Sequence, residues 1–247
     1  MDVKLGPLRL KNPITLASGT CGYGLEMADF LALEKLGGVF TKGISLAPSP
    51  GNPPPRLAET ASGLINRIGL QNVGLDLFLS EKLPELVERG VPAIANVAGK
   101  TIEEYAMIAE RLDAAPGLGG IELNVSCPNV AQGGLAFGTD PATLEKLVSA
   151  VRARTGLPLI VKLTPNVTSI GELARAAEAA GADVLSAINT VKALSVQPRL
   201  VEGRLVAESL VGGLSGPAIK PIALYCVREI AQNTSLPVIG IGGITCL

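Results

Sequence analysis

The chain has 247 residues, 47% hydrophobic and 17% charged, with Lys+Arg 21 against Asp+Glu 22. That composition excludes a disordered chain and leaves no basic excess to draw it to nucleic acid or an anionic membrane. The sequence contains no histidine, which excludes His-based triads and His-ligated metals and leaves base chemistry to Cys, Lys, Asp, Glu or Tyr.

Residues 1–12 (MDVKLGPLRLKN) read as a hairpin and lack the apolar run of a secretory signal. Strand candidates begin near Ile14, Val39, Ala93, Ile121, Leu159, Val184 and Val238. These runs are apolar almost throughout rather than alternating, as expected of parallel strands covered on both faces. Between them, Glu26–Leu36 and Asp76–Arg89 are amphipathic and predict helices. Thr101 with an acidic first turn opens a further helix, Asp140-Pro141 opens the next, and Ser169–Ala180 closes at Gly181. Strand and helix alternate without a break, so the class is α/β.

The strand starts lie 25, 54, 28, 38, 25 and 54 residues apart. A βα unit takes about 25–30 residues. Two units therefore carry extra material, at 43–75 and 190–215, on the face where barrels place their sites. No G-x-G-x-x-G follows the first strand, which disfavours a dinucleotide fold. The expectation is a single (β/α)8 TIM barrel over 1–247, with a hairpin plugging the opposite end. Seven strands are counted, so the eighth βα unit is missing from this reading. The uncharged stretch Ile230–Leu247 is broken by Pro237 and three glycines, a poor spanning helix. A cytoplasmic location is expected.

Polar residues punctuate the C-terminal ends of these apolar strands: Lys42, Asn96, Asn124, Lys162 and Asn189-Thr190, with Gly242-Gly243 ending the last. Converging on one cavity, such a set suits a flat heterocycle with alternating N–H and C=O groups, a flavin or a pyrimidine. Lys162 is flanked by apolar neighbours, and a buried ammonium without an anion is costly. An anionic ring such as a reduced flavin would compensate it. Lys42 is placed to meet a substrate carboxylate, and Gly216 and Gly242-Gly243 let backbone N–H groups approach a phosphate. The cysteines lie at 21, 127, 226 and 246 with no C-x-x-C pair, so there is no metal or cluster spacing. Cys127 follows a strand on the site face and is the leading base candidate. Cys226 lies at helical core spacing.

NVSCPN with GGLAFGTDP, TKGIS, GNPPPR, NRIGLQN, LIVKLTPN, AINT and GIGGI together resemble the class 1 dihydroorotate dehydrogenases. NRIGLQN and NVAQGGLAFGTDP resemble the NAD-linked class 1B catalytic subunit. The resemblance implies an FMN-bound barrel that oxidises dihydroorotate to orotate in pyrimidine biosynthesis. It implies FMN contacts at Ser18, Lys42, Gly43, Asn96, Asn124, Lys162, Ile188, Gly216, Gly242 and Gly243. It implies substrate contacts at Lys42, Asn66, Arg67, Ile68, Gly69, Leu70, Asn124, Asn189 and Thr190, with Cys127 as the base and no metal. It further implies a partner subunit carrying FAD and a 2Fe-2S cluster, and a homodimeric core within a heterotetramer. The family's last phosphate contacts, a Gly-Thr pair on strand 8, have no counterpart here, which implies weak FMN retention or inactivity of this chain by itself. Two alternatives stay open: a dihydropyrimidine dehydrogenase-like reductase, which shares the barrel and the Cys loop, and a non-catalytic truncated barrel.

Overall fold

The computed structural model describes residues 2–126, 128–129 and 135–246. A hairpin of β1 (Val3–Leu5) and β2 (Leu8–Leu10) leads into β3 (Thr15–Leu16) and β4 (Gly38–Phe40). A second hairpin, β5 (Leu57–Thr60) and β6 (Gly63–Asn66), precedes α1 (Leu75–Leu77), α2 (Leu83–Glu88) and β7 (Ala93–Val97). Then follow α3 (Ile102–Asp113), β8 (Leu118–Asn124), a short pair β9 (Pro128–Asn129) and β10 (Leu135–Ala136), α4 (Pro141–Arg152), β11 (Leu159–Leu163), α5 (Ile170–Ala179) and β12 (Val184–Ala187). A long hairpin, β13 (Val191–Val201) and β14 (Arg204–Ser215), leads to α6 (Lys220–Asn233) and β15 (Val238–Gly240). The helix starts follow local chemistry. Thr101, Asp140 and Ser169 each accept a hydrogen bond from the backbone N–H three residues on, which caps α3, α4 and α5.

Seven strands make one all-parallel sheet in the order β15-β12-β11-β8-β7-β4-β3. Each strand neighbours its predecessor in the chain, the winding of a (β/α)8 barrel. Alternate residues divide between two cores. Val39, Ala95, Ile121, Leu123, Val161 and Leu185 pack with helix residues such as Ile108, Leu147 and Leu173. The intervening Phe40, Ile94, Ile160 and Val184 pack with Leu8 and Leu10 of the hairpin, and Ile239 joins them. From β4 to β15 is five strand intervals, about 24 Å if the sheet were flat. Side chains from both ends meet in one cluster, so the sheet is curled, and the hairpin closes its N-terminal end.

Two sequence expectations are corrected. Glu26–Leu36 is not one helix but two 3-10 turns, Leu25–Met27 and Leu33–Lys35. Leu25, Met27, Leu33 and Leu36 all pack against the core. On one helix Leu36 would point about 180° away from Met27, so a continuous helix could not bury both. The Asp76–Arg89 helix is interrupted by a π-turn at Phe78–Lys82. Pro84 follows it. That residue has no N–H, and its ring would press on the Ser80 carbonyl of a regular helix, which the wider turn avoids. Among the described residues no helix is long and apolar enough to cross a membrane.

The sequence reading assigns no strand to either long insertion, yet they supply four. β13, β14, β6 and β5 form one antiparallel sheet, joined where Gly213, Leu214 and Ser215 pair with Asn66, Ile65 and Leu64. A side chain on Gly63 would collide with the Ser215 carbonyl, and one on Gly212 with the Asn66 carbonyl. Glycine at these positions lets the two insertions meet.

Replacing Ile160 by Ala removes a fully buried side chain from the inner core and is expected to cost about 2–5 kcal/mol, read as a lower urea midpoint at unchanged slope. Leu200→Ser, at a position 70% exposed on the long hairpin, is expected to stay within about 0.5 kcal/mol. Equal effects at the two positions would contradict the assignment of the inner face.

Candidate active site

The inward residues change character along the barrel axis. At the hairpin end the row is Phe40 and Ile94, side by side with Gly120. One step on, Asn96 pairs with Glu122, Glu122 with Ile160 and Ile160 with Val184. One step further, Asn124, Lys162 and Ser186 lie side by side. Thus the neighbouring barrel strands β7, β8, β11 and β12 each carry an inward polar residue near the C-terminal end, above an apolar floor.

Glu122 organises this layer, and it has no exposed surface. Its Oε2 accepts from Asn96 Nδ2 at 2.6 Å, its Oε1 accepts from Ser186 Oγ at 2.7 Å, and Lys162 Nζ stands 3.9 Å from Oε2. Lys162, for which the sequence suggests an anionic ring as compensation, thus has a protein carboxylate beside it. Neutralisation of Lys162 by Glu122 makes the burial of both affordable, and at 3.9 Å the carboxylate does so without engaging the ammonium's hydrogen-bond donors. Sequence reasoning missed Glu122 and Ser186. The signal was a carboxylate and a hydroxyl inside the apolar runs IELN and VLSAIN.

The Asn96 amide is only half satisfied. Nδ2 is held by Glu122, but Oδ1 is buried with no hydrogen-bond partner among the described residues. A buried carbonyl left in that state costs about 1–3 kcal/mol. A side chain at Gly43 would begin only 3.1 Å from this oxygen, and Leu70 Cδ2 lies beside the same point. Glycine at 43 thus keeps a side chain from crowding an acceptor that awaits a donor.

A second cluster sits at the ends of β8 and β12. Asn189 donates from Nδ2 to Ser126 Oγ at 2.8 Å and to Asn124 Oδ1 at 3.4 Å. Asn124 is held from behind, where Tyr105 OH donates to its carbonyl at 2.6 Å and the Tyr105 ring stands edge-on to Phe137. Thr190 is fixed by Asn166, whose Nδ2 donates to the Thr190 carbonyl at 2.9 Å. Ile188 is buried, and its N–H donates to the Ile241 carbonyl at 3.0 Å, tying β12 to the segment after β15.

The insertion carrying Asn66–Leu70 is pinned to the barrel by a residue outside the predicted set. Asn72 donates to Ser45 Oγ and to the Leu70 carbonyl, both at 2.7 Å, and accepts from the N–H groups of Gly74 and Ser45. Leu70 is held at φ 56, a conformation that costs a bulky residue about 1–3 kcal/mol. Asn66 donates to the Gly213 carbonyl at 3.2 Å, whereas Arg67 is exposed. Lys42 is half-buried, with its N–H on the Gly22 carbonyl at 2.8 Å. Ser18 is half-buried at the end of β3. Gly243 has φ 69, and a side chain there would meet the Lys220 backbone at the start of α6. Gly216 packs on Gly63. Cys127 lies outside the described residues. Among the described residues no cluster of Cys, Asp and Glu is arranged to hold a metal ion.

A curled parallel sheet with its polar layer at the C-terminal ends defines a barrel of the enzyme type, its site in the mouth. The family profile of dihydroorotate dehydrogenase matches residues 1–246, and the chain belongs to that family. It is 52% identical over 244 residues to a protein of Geotalea uraniireducens named dihydroorotate dehydrogenase B (NAD(+)), catalytic subunit, covering 99% of this chain and 79% of that one. Proteins of the same name from Pelobacter propionicus and Trichlorobacter lovleyi are each 53% identical, with 99% of this chain and 80% of theirs covered.

The described cysteines separate by environment. Burial pushes the Cys21 thiol up to about 11, opposed by a hydrogen bond with Thr20 and reinforced by the charge of Glu26. Cys226, buried on α6, is raised by burial and then by Glu229. Cys246 is exposed. A raised thiol stays protonated and unreactive as pH rises through the ordinary thiol range. At pH 8, iodoacetamide is expected to label Cys246 well before Cys21 or Cys226, read by peptide mass spectrometry. Labelling of Cys21 as fast as Cys246 would contradict its burial.

Proposed function

We propose that this chain is the catalytic subunit of an NAD-linked dihydroorotate dehydrogenase, oxidising dihydroorotate to orotate in pyrimidine biosynthesis. The observation that carries the reading is the inward polar layer of Asn96, Glu122, Asn124, Lys162 and Ser186 in a chain about half identical to three subunits of that name.

The cofactor of this reading is FMN. Its fit rests on the Asn96 Oδ1 acceptor, which lacks a donor among the described residues and has no side chain at Gly43 to crowd it, as a ring imide N–H requires. Ser18, Lys42, Asn124, Lys162 and Ile188 would complete the ring contacts. Gly216, Gly242 and Gly243, near the N-terminal turn of α6, would take the phosphate. When bound, FMN supplies the hydride acceptor for the oxidation.

The protein's own part is proton removal and orientation. The Cys127 thiolate takes the proton from the substrate ring carbon beside the carbonyl, while the neighbouring ring carbon gives up its hydride. Asn124, Asn189 and Thr190 hold the flat pyrimidine, Lys42 meets its carboxylate, and residues 66–70 cover it. Lys162 stabilises negative charge that develops on the cofactor side. The electrons leave through a partner subunit carrying FAD and a 2Fe-2S cluster, on a homodimeric catalytic core within a heterotetramer. A cytoplasmic location completes this reading.

Two outcomes are expected. In stopped-flow mixing with dihydroorotate, Cys127→Ala slows flavin reduction by about 10²–10⁴-fold while orotate binding persists, and the parental rate rises with pH as the thiolate forms. Parental speed in the variant would contradict the base assignment, and loss of orotate binding with the rate would make Cys127 structural. The chain assayed without its partner should reduce NAD poorly. Efficient NAD reduction by the chain alone would refute the need for the partner.

A further inference from the structure

The described structure contains a buried carboxylate that none of the roles above uses. Glu122 lies one strand away from Asn96 and points into the barrel beside it. Both of its oxygens act as acceptors. Ser186 Oγ donates to one, and Asn96 Nδ2 donates to the other at 2.6 Å. If the Asn96 amide were turned over, its Oδ1 would face a carboxylate oxygen at that same distance, acceptor against acceptor. The amide therefore has one allowed orientation, with Nδ2 toward Glu122 and Oδ1 toward Gly43 and the mouth. An asparagine side chain is otherwise indifferent between donor and acceptor.

We infer that Glu122 is a positioning residue: it fixes the Asn96 carboxamide so that the mouth presents a lone acceptor and selects a ring ligand that offers an N–H at that point. The inference deepens the FMN reading and rests on it. Glu122 acts through Asn96 and, by its charge, through Lys162, and the proposed reaction gives it no direct part. Lys162 reinforces the same orientation. With its ammonium 3.9 Å from Oε2, the atom nearest both it and Asn96 Nδ2 has to be an oxygen. A glutamine at 122 would turn its own carbonyl to that position and keep Asn96 as it is. An alanine would leave the amide free to turn.

The test compares binding of FMN with binding of FMN methylated on the ring imide nitrogen, by fluorescence titration of the full chain stripped of flavin. The parent should prefer FMN by about tenfold, the worth of one hydrogen bond to a buried acceptor. Asn96→Ala and Glu122→Ala should both bring the preference close to one, and the double variant should do no more than either alone. Glu122→Gln should retain the parental preference. Equal binding of the two flavins by the parent would overturn the inference without any variant, so a variant that fails to fold does not shelter it. Glu122→Ala weakening both flavins equally, with the parental preference intact, would overturn it as well and make Glu122 a structural residue only. Binding of neither flavin by the parent, even at millimolar flavin, would refute the FMN reading itself, an outcome distinct from both.

Discussion

A parallel strand buried on both faces has only alternate residues with which to serve two cores, and this constraint shapes the molecule. Outward residues must be aliphatic to pack the helices. Inward residues are apolar only as far as the hairpin plug reaches, through Phe40, Ile94, Ile160 and Val184. Beyond that layer the inward positions turn polar while staying buried, so each polar group there must be partnered inside the protein or by a ligand. Glu122 is the point where these demands meet. Its charge is matched by Lys162, its oxygens take donors from Asn96 and Ser186, and the acceptor left over, Asn96 Oδ1, faces the mouth.

Much of this was legible in the sequence, and the exceptions have physical causes. Unbroken runs such as LIVKL and AIANV marked buried parallel strands, because covering both faces removes the polar alternation. Lys162, Asn96 and Asn124 stood out as polar breaks in those runs. Glu122 and Ser186 were equally visible breaks, but their partners are 26 and 64 residues away in the chain, a pairing that only the barrel's register creates. The Glu26–Leu36 stretch misled because helical amphipathicity was read over a segment whose core-packing residues would point in opposite directions on one continuous helix. The insertions concealed four strands because proline and glycine punctuate them, and their pairing joins segments about 150 residues apart.

Those insertions show how a mouth can be roofed without disturbing its floor. Glycines at 63, 212 and 213 allow the two hairpins to lie close together and against Thr190. Asn72 then ties the 66–70 stretch to the Ser45 segment. The strained Leu70 backbone is held by these contacts and sets a side chain over Gly43, next to the Asn96 acceptor. Floor and roof therefore converge on one point, and the proposed chemistry asks a flat ring to lie there.

The most direct measurement is an anaerobic absorbance titration of the full chain with added FMN. Dihydroorotate is predicted to bleach the oxidised-flavin band mole for mole, with orotate as the product. Flavin that binds, bleaches with a chemical reductant and yet stays oxidised in excess dihydroorotate would contradict the account.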